Sequence, residues 1–165
     1  MKLGILADTH NHIENTRRAL DAFRERGITR LIHCGDLTTV AIVELFAGFS
    51  VTFVFGNSDQ FHADLMQAAK ALFGMGSMGY SYTAAIDDKR IAVCHGNDED
   101  MLNGYIQQNT YDFVFHGHTH HRRDEIVGKT RVINPGALGG NRPEQRSICI
   151  LDFETEETEF VMIEE

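Results

Sequence analysis

Leu3-Gly4-Ile5-Leu6-Ala7-Asp8-Thr9-His10 is an apolar run that stops at two residues able to ligate a metal. The run is too short for a signal-peptide core and ends in a carboxylate rather than a cleavage site, so it reads as a first strand over 2–7. Four later segments repeat the arrangement of a strand-like run followed by ligand-type side chains. They are Gly35-Asp36 after 30–33, Gly56-Asn57-Ser58-Asp59 after 51–55, His95-Gly96 after 90–94, and Gly117-His118-Thr119-His120 after 112–116. One such segment arises easily by chance. Five in order, most with a glycine alongside, exceed what core packing explains and spell a two-metal hydrolase.

Helix-like stretches separate the first strands. Ile13, Ala19, Leu20 and Phe23 recur at helical spacing within 13–26, which predicts an amphipathic helix closing at Gly27. Segments 39–47, 61–72 and 98–109 are the other helix candidates. The first half therefore reads β-α-β-α-β, which favours parallel strands joined by crossover helices. Strand candidates at 80–86, 123–127, 131–133, 147–153 and 159–163 crowd the second half. They read as a meander with turns at Asp87-Asp88 and Gly128-Lys129. Gly74-Met75-Gly76-Ser77-Met78-Gly79 lacks the lysine and following helix of a phosphate-binding loop and reads as a flexible connection or surface flap. In α/β sheets the loops beyond the strands' carboxyl ends converge on one edge, so Asp8, His10, Asp36 and Asn57 are expected to face one crevice.

The 165 residues suit one domain over 1–165 with a sizeable core. Hydrophobic residues make up 42% and no apolar run approaches the length of a bilayer span, so a soluble protein is expected. Cys34, Cys94 and Cys149 show no paired spacing, which argues against a disulfide framework or a thiolate zinc site and for a reducing cytoplasm. The net charge of −9 and the lack of a Lys/Arg cluster exclude duplex nucleic acid as a natural partner. Apolar residues in 74–80 permit a homo-oligomer without requiring one.

The order D-x-H, G-D, G-N-x-D, H-G, G-H-x-H, with Asn134-Pro135-Gly136 as a further turn, resembles the calcineurin-like metallophosphoesterase superfamily. Within it the chain looks like the small single-domain phosphodiesterases of the YfcE type, relatives of the retromer subunit Vps29. The resemblance implies an α/β fold, a four-layer α-β-β-α sandwich of two mixed sheets flanked by helices. It also implies that Asp8, His10, Asp36 and His120 hold one divalent metal while Asp36, Asn57, His95 and His118 hold the other, with Asp36 bridging. A bridge of this kind is a carboxylate, because two oxygens can be shared between cations about 3.5–4 Å apart.

The implied activity is hydrolysis of a phosphodiester, or of a small nucleotide-like substrate, by in-line attack of a hydroxide bridging the two metals. With only Asp8 and Asp36 anionic, two dications leave a surplus of roughly two positive charges, which would hold an anionic phosphate. Mixed imidazole and oxygen donors suit Mn²⁺, the choice by resemblance, as well as Ni²⁺, Zn²⁺ or Fe²⁺. The chain departs from the family at Ser58, where many members carry a histidine that resembles a general acid. Asp59, by resemblance, steadies the ligand loop, and His12 is a candidate to contact substrate or protonate the leaving group. His33 and His116 read as core or supporting groups, and His62 and His121 as solvent-facing. Two other readings stand beside the phosphodiesterase: a phosphomonoesterase or nucleotide hydrolase on the same site, and a Vps29-like docking module without catalysis.

Overall fold

Residues 1–164 are described by the structure, a computed structural model. Two mixed sheets lie face to face. The first is built from β1 (Lys2–Leu6), β2 (Arg30–His33), β3 (Ser50–Val54), β4 (Met78–Gly79), β10 (Ser147–Asp152) and β11 (Thr158–Met162), in the order β11-β10-β1-β2-β3-β4. The second comprises β5 (Ser81–Ile86), β6 (Lys89–Cys94), β7 (Phe113–Phe115), β8 (Arg123–Val127) and β9 (Thr130–Asn134), in the order β5-β6-β7-β9-β8. Helices α1 (Ile13–Glu25), α2 (Val40–Leu45) and α3 (His62–Phe73) follow β1, β2 and β3, and α4 (Glu99–Gln107) follows β6.

Three apolar clusters account for the layers. Leu3, Ile5, Ile32 and Val54 of the first sheet meet Ile91, Val93, Phe115 and Ile133 of the second in the central core. Leu6, Leu31 and Phe53, on the opposite pleat, pack under Leu20 and Phe23 of α1, Val43 of α2 and Leu65 of α3. A smaller cluster joins Ala92, Val114 and Val132 to Ile106 of α4. Burial on both faces is why β1 reads as an unbroken apolar run rather than an alternating one. This is the expected four-layer sandwich.

The β1–β2–β3 crossovers are parallel, as the alternation of strands and helices implies. The expected meander of the second half is corrected. Consecutive strands pair antiparallel at β5–β6, β8–β9 and β10–β11, while β6–β7 and β7–β9 pair in parallel. Helix α4 carries the chain back between β6 and β7, and β9 inserts between β7 and β8, so neighbours in sequence are not neighbours in the sheet. Asp87 and Asp88 take φ of 54° and 64°, the left-handed pair of a tight hairpin turn that matches strand twist.

The glycine-rich stretch also differs from expectation. Its end forms β4, with the Phe53 and Phe55 amides donating to the Ser77 and Gly79 carbonyls at 2.8 Å. The strand expected over 80–86 is β5, β4 precedes it as an additional strand, and the chain passes from one sheet to the other at Tyr80.

Candidate metal centre

The parallel strands deliver their following loops to one end of the sandwich, where backbone hydrogen bonds lace the loops together. Asp8 N–H donates to the Gly35 carbonyl and His10 N–H to the Asp36 carbonyl, both at 2.9 Å, and Gly117 N–H donates to the His95 carbonyl at 2.9 Å. Asp8, His10, Asp36, His118 and His120 all take left-handed φ, between 43° and 68°. That region is sparsely populated outside glycine, and each such residue stores on the order of 1–3 kcal/mol of strain unless its surroundings enforce it. Five of the seven expected ligands sharing it marks a site whose geometry is set by the fold.

Glycine makes the close approaches. A Cβ on Gly56 would lie 2.0 Å from Asp36 Oδ1 and 2.5 Å from the Asp36 amide, and Gly35, at φ 98°, leaves the space beside the His95 ring.

The ligand atoms converge. Asp8, His10 and His120 offer atoms within 4.8 Å of one another, as do Asp8, Asp36 and His95. His120 Nε2 lies 3.4 Å from Asp8 Oδ1 and 3.2 Å from His10 Nε2. Asp36 Oδ2 is 3.5 Å from His10 Nε2 and 3.4 Å from His95 Nε2, so one carboxylate oxygen touches both groups. His118 enters from the other side, its ring edge-on to His95 with centroids 5.2 Å apart. Its amide donates to Asp8 Oδ2 at 3.0 Å, which turns Oδ1 inward. Asn57 lines the adjoining cavity with His95.

Asp8 Oδ1 and His95 Nε2 are buried without a hydrogen-bond partner among the described residues. Such orphaned groups are costly in a protein interior unless a further ligand satisfies them. Oxygen and imidazole donors left unsatisfied and aimed at common points fit divalent transition metals.

Supporting contacts set the ligands' protonation and direction. His95 Nδ1 donates to the Cys34 carbonyl at 2.7 Å, leaving the Nε2 lone pair facing the site. Burial opposes charge on the Asp36 carboxyl, but the His95 imidazole and the Ser58 amide and hydroxyl outweigh it and hold the group well below the usual carboxylate range. The Ser58 amide donates to Asp36 Oδ1 at 2.8 Å and its hydroxyl to Oδ2 at 3.0 Å. Burial lowers the His118 pKa, and His95 beside it adds to the fall.

Asp59 is fully committed to the backbone. Its Oδ2 accepts from the Asp36 and Gly56 amides at 3.0 and 2.8 Å and its Oδ1 from Thr38 at 2.6 Å, which ties the loops after β2 and β3 together. His12 caps α1, with Nδ1 accepting from the Asn15 amide at 3.2 Å.

The other histidines divide. His33 Nδ1 accepts from Gly35 N–H, so its Nε2–H faces Thr9 Oγ1 at 3.2 Å, and Thr9 in turn donates to the Asp36 carbonyl. Burial drives the His33 pKa down to about 3. His116 is likewise buried and neutral, donating from Nδ1 to the Gly117 carbonyl at 3.0 Å. His121 is exposed, 3.6 Å from Glu144. The solvent-facing expectation for His62 is corrected. It is half-buried, stacked on Phe55 with centroids 4.2 Å apart, and it lines the cavity beside Asn57.

Three contributors were not legible as such in the sequence. Asn134 donates from Nδ2 to the Gly117 carbonyl at 2.8 Å and to Thr119 Oγ1 at 3.1 Å, pinning the loop that carries His118 and His120. Gly139 and Gly140 pass directly against Thr9 and His120, where a side chain would collide. Cys34, Cys94 and Cys149 are all free and buried, and burial pushes the Cys94 and Cys149 thiols up to about 12.

Comparison with known proteins bears on this arrangement. The calcineurin-like phosphoesterase superfamily domain matches residues 1–156. Phosphodiesterase MJ0936 of Methanocaldococcus jannaschii is 32% identical over 166 residues, covering 99% of this chain and 100% of that protein. A solved structure described as a novel archaeal phosphodiesterase superposes with a TM-score of 0.92 at 32% identity, covering 98% of this chain and 99% of its own. The zinc complex of Vps29 from Entamoeba histolytica shares the fold at a TM-score of 0.66 and 20% identity, covering 99% and 100% of the two chains. With likeness sustained along the whole of its length, this chain belongs to the calcineurin-like phosphoesterase superfamily.

Proposed function

We propose that this chain is a dinuclear metal-dependent phosphodiesterase, one domain over 1–165 acting on a small phosphodiester or nucleotide-like molecule in the cytoplasm. The observation that carries the reading is Asp36 Oδ2 at 3.5 Å from His10 and 3.4 Å from His95, because a single carboxylate oxygen then serves two sets of imidazoles. Asp8, His10, Asp36 and His120 hold one divalent ion, and Asp36, Asn57, His95 and His118 the other. Ions in those positions supply an acidic water as the nucleophile and positive charge for the phosphate oxygens.

The protein's own part is positioning and charge. Two carboxylates among seven ligands leave the centre net positive by roughly two charges. An anionic ester is thereby drawn into a protein whose formal net charge is −9. The Ser58 hydroxyl is committed to Asp36, and the loop that bears it carries no imidazole, so leaving alcohols that are already acidic suit the site best. Mn²⁺ is the proposed native metal, with Zn²⁺, Ni²⁺ or Fe²⁺ as substitutes of matching donor preference.

Metal-stripped protein reloaded with Mn²⁺, Zn²⁺, Ni²⁺ or Mg²⁺ and assayed on bis-p-nitrophenyl phosphate and on the monoester tests this. Diester turnover is expected with a transition metal, exceeding monoester turnover, and Asp36→Asn is expected to reduce it to background. Equal rates for the wild type and that variant would sink the proposal, and monoester preference would replace it with a phosphomonoesterase.

A further inference from the structure

Beside the metal ligands lies a cavity of about 300 Å³ whose construction the hydrolytic centre does not require. Asn57 and His95 are among its lining residues, so it adjoins the phosphate position of the proposed reaction. One wall is aromatic. The Phe55 and His62 rings stack with centroids 4.2 Å apart and planes at 29°, and Tyr80 closes the group at 5.2 Å from Phe55. Met101 and the Asp98 carboxylate also line the cavity.

Tyr80 is the informative member. It stands at the passage from β4 to β5 and is 66% exposed, so much of its ring stays accessible. Its hydroxyl shares a 3.1 Å hydrogen bond with His62 Nδ1, which fixes the ring's direction over the cavity. Orientation of this kind serves recognition, since a ring already held in place loses little entropy when a flat ligand stacks on it. Asp98 adds polarity at the rim: Oδ1 accepts from the Met101 amide at 3.0 Å, and the carboxylate's second oxygen is available to an N–H donor.

Resting on the phosphodiesterase reading, we propose that this cavity is the subsite for a planar aromatic group attached to the scissile phosphate, of the amino-bearing nucleobase kind. The phosphate sits at the metal ligands, the base stacks on Tyr80, which His62 braces edge-on at 83°, and Asp98 accepts from its exocyclic amine. The volume is at the lower end of small-molecule sites and suits one such group.

Calorimetric titration of the Mn²⁺-loaded protein with AMP and with ribose 5-phosphate isolates the base, because the two ligands differ only there. Stacking of a base on an aromatic side chain predicts AMP binding about tenfold tighter. Tyr80→Ala should bring that ratio to about one without altering ribose 5-phosphate affinity, and Tyr80→Phe, which keeps the ring, should retain most of it. Equal wild-type affinities, no binding of either ligand, or a Tyr80→Ala loss common to both ligands overturns the subsite. Wild-type turnover of bis-p-nitrophenyl phosphate, measured on the same preparation, tells the two failures apart. Turnover without base selectivity removes the subsite alone, whereas absent turnover removes the phosphodiesterase reading.

Discussion

Asp59 shows how one buried side chain can hold together the loops that carry the proposed metal ligands. Three amides converge on its two oxygens, and two of them belong to Asp36 and to Gly56, the neighbour of Asn57. Burial raises the Asp59 pKa, and the amide donors oppose that rise. Replacing the carboxylate by a methyl leaves those donors facing a void, at about 1–3 kcal/mol each. Asp59→Ala is therefore expected to weaken metal binding about 10–100-fold, read by chelator competition, while far-UV circular dichroism stays unchanged. Asn57→Asp acts in the opposite direction on metals. A third carboxylate tightens them but halves the positive surplus, so KM for an anionic diester should rise as metal affinity rises. Unchanged KM and kcat in that variant would discard the electrostatic account of substrate attraction.

Among the elements, the tight turn after β3 is the most constrained. Gly56 faces Asp36 so closely that Gly56→Ala must displace either the carboxylate or the loop. A lower thermal midpoint and loss of high-affinity metal binding are expected together, and a variant with wild-type metal affinity would show that the loop yields freely. Helix α1 offers a separable test. His12 Nδ1 caps its N-terminus, so His12→Ala should lower the stability of the folded protein by about 0.5–1 kcal/mol in urea unfolding. A fall in kcat beyond what that stability change allows would assign His12 a role at the leaving group as well.

At the scale of the whole molecule, acid sensitivity follows from the buried neutral His33 between the sheet and its helices. Its folded pKa, about 3, lies below the ordinary value of 6.5, so the unfolded chain binds the proton first. Stability is then full above pH 6.5 and falls as the pH drops from there towards 3. For the metal-free protein the contribution of this one group between pH 7 and pH 5 is about 2 kcal/mol. Urea midpoints at the two pH values should differ by at least this much, and His33→Gln should remove this share while leaving that of buried His116, whose pKa burial lowers to about 4. Metal-free protein is the sample of choice, because protonation of the ligand imidazoles would otherwise add to the effect. Among the described residues no helix is long and apolar enough to cross a membrane.

Much of this architecture was already present in local pattern. Apolar runs marked nearly every strand, helical spacing placed α1 within a residue of its observed end, and the order of Asp8, His10, Asp36, Asn57, His95, His118 and His120 carried the proposed ligand set. Those features are legible because strand and helix periodicity and strand-end chemistry are written over a few consecutive residues. Tertiary structure alone decided the rest. It made β6, β7 and β9 parallel, brought the His118 amide onto a carboxylate 110 residues earlier, and drew Asn134 against the histidine loop. It also turned His62 from an expected solvent position onto Phe55 and Tyr80. The physical reason is that sheet partners and left-handed ligand conformations depend on which distant surfaces are buried together, and no short window of sequence contains both surfaces.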